Sequence, residues 1–227
     1  QKIGIRLKKG FYLVMIAQAL SSLADNALFI AAIALIAELN GPDWMTPAMK
    51  WFFAFSYVIL AAFVGAISDA YPKGRVMFVT NAIKISGCLL MFGFEFVSGN
   101  NHALHAYIVC FSYALVGIGA AAYSPAKYGI VTELLPPNDL VKGNSWIEGL
   151  TVLSIILGVV LGGKLTEPAM SGWLLANPFI STIAKTPAEA AIVVIATIYI
   201  LAALCNLLIP NTHFVYPKQE TNPVKLC

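Results

Sequence analysis

Residues 11–39 read FYLVMIAQALSSLADNALFIAAIALIAEL, an apolar run interrupted by Gln18, Ser21, Ser22, Asp25 and Asn26, with Glu38 close to its end. A run of this length exceeds the roughly 18 residues at which an apolar stretch is read as a membrane-spanning helix. The interruptions are ordered: Gln18, Ser21, Ser22, Asp25 and Asn26 recur at i, i+3, i+4, i+7 and i+8, which puts them on one helix face. An ionisable group at bilayer depth costs at least about 2.5–3.5 kcal/mol on insertion scales, so such groups face a bundle interior or a wet cavity. The stripe is expected to line a cavity with Asp25 as its functional centre. The competing reading is that Asp25 pairs with a basic residue purely to hold helices together.

Working outward, hydropathy places five further spans at about 48–69, 76–97, 104–125, 143–163 and 188–209. They are separated by the turn-rich connectors Asn40-Gly41-Pro42-Asp43, Tyr71-Pro72-Lys73-Gly74, Ser98-Gly99-Asn100-Asn101 and Pro136-Pro137-Asn138-Asp139. The whole 227-residue chain agrees, with 59% hydrophobic and 11% charged residues where soluble domains carry roughly a quarter charged. The expected fold class is an all-α membrane protein, a six-transmembrane-helix bundle over 11–209. Residues 1–10 form a cytoplasmic N-terminal segment, and 210–227 a cytoplasmic tail or the start of an inter-domain linker. Residues 164–187, with Trp173, Leu174, Leu175, Phe179 and Ile180, suit a segment lying flat at the membrane surface. Lys and Arg are enriched in cytoplasmic loops. Lys2, Arg6, Lys8, Lys9, Lys73, Arg75, Lys127, Lys142, Lys218 and Lys225 fall on one side, against Lys50, Lys164 and Lys185 on the other. Both termini are therefore placed in the cytoplasm. The chain opens on Gln1, so some preceding sequence is expected to be missing.

The remaining composition narrows the function. A net charge of +3 without a run of like charges gives no nucleic-acid patch, so nucleic acid is not an expected partner. Cys88, Cys110 and Cys205 fall in apolar runs and Cys227 on the tail, with neither disulfide nor metal spacing. No nucleophile elbow, zinc-protease or phosphate-loop motif occurs, and the reading is not an enzyme, with no cofactor and no metal. Lys84 lies inside span three beside Asn81 and Ser86, where it either binds a ligand or extends its stem to the interface. Glu148 shares a face of span five with Asn144 and Thr151, and its position near the cytoplasmic end favours a structural role. Glu95, His102 and His105 are read as solvated interfacial residues. Gly117 and Gly119 in span four and Gly158 and Gly162 in span five are read as helix-packing positions, where small faces let helices approach closely.

The second loop reads Gly65-Ala-Ile-Ser-Asp69-Ala-Tyr-Pro-Lys73-Gly74-Arg75-Val76, similar to the loop signature of the major facilitator superfamily, although Gly74 lies five residues after Asp69 and not three. Three further strings join it: Leu-Ala-Asp25-Asn26-Ala-Leu, Asn81-Ala-Ile-Lys84, and Gly117-Ile-Gly119-Ala-Ala-Ala-Tyr123-Ser124-Pro125-Ala126-Lys127-Tyr128-Gly129-Ile. Together they resemble the bacterial lysophospholipid transporter family over spans one to six. The resemblance implies the N-terminal half of a twelve-helix fold built from three-plus-three inverted repeats, in the bacterial inner membrane. It also implies transport of lysophospholipids such as lysophosphatidylethanolamine from outer to inner leaflet for re-acylation. The partners so implied are the lysophospholipid substrate, membrane lipids, the missing C-terminal six-helix half, and an acyltransferase that is separate or fused.

On that resemblance Asp25 takes the headgroup amine with Asn26 orienting it, and Lys127 takes the phosphate; Gln18, Asn81 and Lys84, polar within the spans, are expected to complete the substrate-binding set. Without the family, Lys127 has an equally good explanation as a topogenic charge. Gly65, Asp69, Lys73, Gly74 and Arg75 are expected to form a latch against a neighbouring helix, and spans two and five to form gate walls. Rocking of two halves needs both, so residues 1–227 alone are expected to bind without transporting. Two other functions remain open: a proton-coupled drug or nutrient carrier using Asp25 or Glu148, and a non-transporting scaffold for an acyltransferase.

Overall fold

A computed structural model describes residues 2–93 and 101–212 and, among them, shows helices without strands. The helices are α1 (Lys2–Glu38), α2 (Met45–Ala70), α3 (Lys73–Gly93), α4 (His102–Leu134), α5 (Leu140–Thr166), α6 (Pro168–Leu175), α7 (Pro178–Ile183) and α8 (Pro187–Leu207), with a 3-10 turn at Pro137–Asp139. Among the described residues, five helices are long and apolar enough to cross a membrane, and the bent pair Met45–Ala61 and Phe63–Ala70 in α2 makes a sixth candidate. The end placed at 97 for the third span, Glu95 and the tail lysines Lys218 and Lys225 lie outside the described residues.

Local chemistry sets the ends. α1 stops where Asn40 adopts a left-handed φ of 54° and the Gly41 amide returns to the Ile36 carbonyl, a common helix exit. α8 starts with a capping box between Thr186 and Glu189 and with Pro187 in its first turn. Glu38, at the end of α1, accepts a hydrogen bond from the Ala188 amide at 3.1 Å and so ties that start to α1. α6 and α7 turn Leu174 inward and leave Trp173 and Phe179 exposed, the two-faced character expected of a segment lying flat at an interface.

Two expectations need correction. Span four was expected to end at 125, yet α4 continues through Pro125 to Leu134. The lost backbone hydrogen bond is offset by burial of Ala126, Ile130, Val131 and Leu134 beyond it. His105, read as solvated, is buried on α4, and its Nε2 lies 2.8 Å from the Met91 carbonyl oxygen.

α1 is central. It packs against α5, α8 and α4, while α3 packs against α4 and α8, and α2 against α4. Buried apolar side chains fall into two clusters. One gathers Ala31, Leu35, Met45, Met49, Val109, Tyr113 and Ile192 toward the α1–α2 turn. The other gathers Val14, Met77, Ile130, Leu134, Ile147 and Ile209 toward the opposite end of the bundle. A polar layer lies between them.

Candidate functional site

The polar stripe on α1 divides between two seams. Gln18, almost fully buried, donates to the Ile147 carbonyl at 3.1 Å and to Thr151 Oγ1 at 2.8 Å, joining α1 to α5. Asn26 also turns to α5: its amide donates to the Ser22 carbonyl at 2.9 Å, and its Cβ lies 2.9 Å from where a Cβ on Gly158 would stand. Ser21 and Asp25 face α3 and α8. Lys84 Nζ donates to Asp25 Oδ2 at 2.8 Å and to Ser21 Oγ at 2.9 Å, and Ser21 Oγ donates to Asn81 Oδ1 at 2.8 Å. Tyr199 on α8 donates its hydroxyl to the other carboxylate oxygen, Asp25 Oδ1, at 2.6 Å. The Lys84 side chain is 1% exposed and that of Asp25 16%. The ammonium does not rise to the interface, so the snorkelling explanation of Lys84 fails.

Glycine makes this geometry accessible. A Cβ on Gly119 would stand 2.8 Å from Lys84 Cγ and 2.8 Å from the Thr80 carbonyl, so only a bare Cα on α4 leaves the lysine stem a path to Asp25. On Gly117 a Cβ would meet the α2 backbone at Phe53 Cα, 3.0 Å away. Gly158 and Gly162 on α5 lie against α1, where added Cβ atoms would stand 2.5 Å from the Leu23 carbonyl and 2.7 Å from the Ala27 carbonyl. All four expected packing glycines thus sit at close helix–helix approaches.

Lys127 is buried on α4 past Pro125. Its Nζ lies 4.4 Å from the Tyr128 ring centroid, and no carboxylate among the described residues lies within 4.0 Å. Tyr128 donates its hydroxyl to Glu148, which links α4 to α5. The described structure therefore does not join Lys127 to Asp25 directly. A cation on an aromatic ring is held by about 0.5–1 kcal/mol where exposed and about 2 when desolvated, whereas hydrogen bonds to charged groups contribute about 1.5–3 kcal/mol. Lys84, with hydrogen bonds to both Asp25 and Ser21, is thus held more firmly than Lys127.

At the loop end, Lys73 Nζ lies 2.9 Å from Glu133 on α4 and 3.7 Å from Asp69, with its side chain 3% exposed. Its stem crosses Gly129, where an added Cβ would stand 2.2 Å from Lys73 Cε. Thr212 donates to Glu133 as well. Arg75 is exposed and has no ion pair with a described carboxylate. A Cβ on Gly74 would meet the Asn206 carbonyl at 3.3 Å, and one on Gly65 would meet nothing within 4 Å. Sequence reasoning missed Tyr199 and Glu133. A tyrosine within an apolar span reads as core, and a helix-end glutamate reads as solvated, so neither carried a signal of its partner.

A single bundle of long apolar helices around a buried carboxylate–ammonium pair defines an integral membrane protein with a polar mid-bundle site. The family model of the Major Facilitator Superfamily matches residues 14–224, and the chain belongs to that superfamily. It is 38% identical over 218 residues to the protein named Lysophospholipid transporter LplT of Serratia proteamaculans, covering 96% of this chain and 47% of that protein. To the proteins of the same name it is 39% identical over 206 residues in Yersinia enterocolitica (90% and 43% covered) and 38% identical over 220 residues in Pectobacterium carotovorum (97% and 47%). The chain spans about half the length of these curated relatives. The resemblance drawn from the four sequence strings is borne out.

Proposed function

We propose that this chain is the N-terminal half of a transporter that moves lysophospholipids, lysophosphatidylethanolamine among them, from the outer to the inner leaflet of the bacterial inner membrane for re-acylation. It works by alternating access against a second six-helix half, with both of its own ends in the cytoplasm. The names of relatives 38–40% identical support the substrate class. The observation that carries the reading is the buried Asp25–Lys84 pair at mid-bundle, held by Tyr199 and Ser21. A zwitterionic headgroup needs both signs of charge at bilayer depth, and such a pair supplies them without leaving a lone buried charge. Asp25 receives the amine, Lys127 and Lys84 serve the phosphate, and Asn81, Gln18 and Asn26 hold the helices that present them. The acyl chain leaves the bundle sideways between α2 and α5. Exposed apolar side chains along both, Phe55, Val58 and Phe63 on one and Val152, Ile156 and Val160 on the other, support these as gate walls. An acyltransferase consuming the delivered lipid is the partner this function requires.

The test is lysophosphatidylethanolamine uptake by the full-length protein in proteoliposomes, with Asp25→Ala and Lys127→Ala beside the wild type. Loss of a charged hydrogen bond of about 1.5–3 kcal/mol lowers uptake efficiency by about tenfold or more in each. Unchanged uptake in both variants would remove the site assignment. Uptake of another solute driven by a pH gradient, with no response to lysolipid, would replace the lipid reading with a proton-coupled carrier.

A further inference from the structure

At the α1–α2 end of the bundle, Lys50 on α2 holds its Nζ 4.0 Å from the centroid of the Phe29 ring. It is exposed, and no carboxylate among the described residues lies within 4.0 Å of it. Phe29 is four residues after Asp25 on α1 and shares its face, about 6 Å further along the helix axis. From Phe29 a ladder of aromatic rings runs inward. Phe29 to Tyr113, Tyr113 to Phe53 and Phe53 to Tyr57 each have centroids 5.6 Å apart. The ring series thus carries an ammonium at its Phe29 end, where Lys50 rests on a ring and on no described carboxylate within 4.0 Å.

We propose that Lys50 is a phosphate-capture residue for the lipid headgroup at the end of the path opposite the Lys73–Glu133 pair. The proposal rests on the lysophospholipid reading above and adds a site to it. A phosphodiester oxygen offers an ammonium a charge-assisted hydrogen bond that a ring face does not, so the arriving headgroup takes Lys50 without breaking an ion pair. The ring on which Lys50 rests is one helical turn from Asp25, so capture there brings the headgroup to the end of the face that carries the carboxylate. Lys164 is unsuited to the same task because Glu167 already holds its ammonium at 2.7 Å.

The experiment uses the full-length protein in proteoliposomes and reads initial rates of lysophosphatidylethanolamine uptake against concentration. Lys50→Ala raises the apparent KM about tenfold with kcat within about twofold of wild type, the pattern of a lost binding contact. Lys50→Arg restores the wild-type KM, and Lys164→Ala leaves it unchanged. Millimolar inorganic phosphate also leaves the wild-type KM unchanged. A rise in KM with phosphate, in wild type but not in Lys50→Ala, would assign Lys50 to free phosphate and overturn capture of a lipid. An unchanged KM in Lys50→Ala beside an active wild type overturns the capture site and leaves the transport function standing, whereas no uptake by wild type overturns both.

Discussion

Asp25 has a donor on each carboxylate oxygen, Lys84 on one and Tyr199 on the other, supplied by two different helices. Removing either charge strands its partner in a low-dielectric seam, which costs about 3–5 kcal/mol in buried pairs. Asp25→Ala and Lys84→Ala are each expected to destabilise the protein by about that amount, and the double variant by less than the sum. Thermal unfolding of the four proteins in detergent measures this, and strictly additive losses would show that the pair is not coupled. Asp25 was legible as a buried charge because its stripe has helical spacing in an apolar run. That its partner is Lys84 was not, since the two are 59 residues apart and either could have served a separate purpose. Asn26 is adjacent in sequence to Asp25, yet it turns to α5 because successive residues on a helix point about 100° apart.

Between elements, a close approach runs along α1 and α5. Gly158 and Gly162 are four apart on α5 and both meet backbone carbonyls of α1, which cannot rotate aside as a side chain can. Gly158→Ala and Gly162→Ala are expected to force the helices apart at about 1–3 kcal/mol each, as overpacking does. Gly163→Ala, with nothing within 4 Å of its new methyl group, should stay within about 0.5 kcal/mol of wild type. Melting curves that fail to separate Gly163→Ala from the other two would contradict this contact. The glycines were legible as a small face, while the helix each one meets was set by packing: Gly117 faces α2, Gly119 faces α3, and the α5 pair faces α1. α4 makes the reverse point. Pro125 marks a stop by local rules, and the second apolar cluster overrides it by burying the turns beyond.

Across the whole molecule, the ion pair joining Lys73 to Glu133 fastens the start of α3 to the far end of α4. With Asp69 as a second carboxylate and Gly129 clearing the lysine stem, it is the proposed latch on the open-versus-closed equilibrium. Breaking a coupling of about 1.4 kcal/mol shifts such an equilibrium about tenfold. In the full-length protein, with native cysteines replaced and Asn206→Cys as reporter beneath the loop, Lys73→Ala and Glu133→Ala should raise the rate of labelling by a water-soluble maleimide by that factor. An unchanged rate in both would remove the latch. By itself the sequence determined that this chain is a membrane helix bundle, roughly which stretches span it, and that Asp25 is a buried charge, because the cost of polar groups in lipid is written residue by residue in hydropathy and periodicity. The tertiary structure alone decided which charges meet: Asp25 with Lys84 and Tyr199, Lys73 with Glu133, and Lys50 and Lys127 each with a ring. An ammonium reaches only as far as its stem, so its partner is chosen by which helices lie side by side.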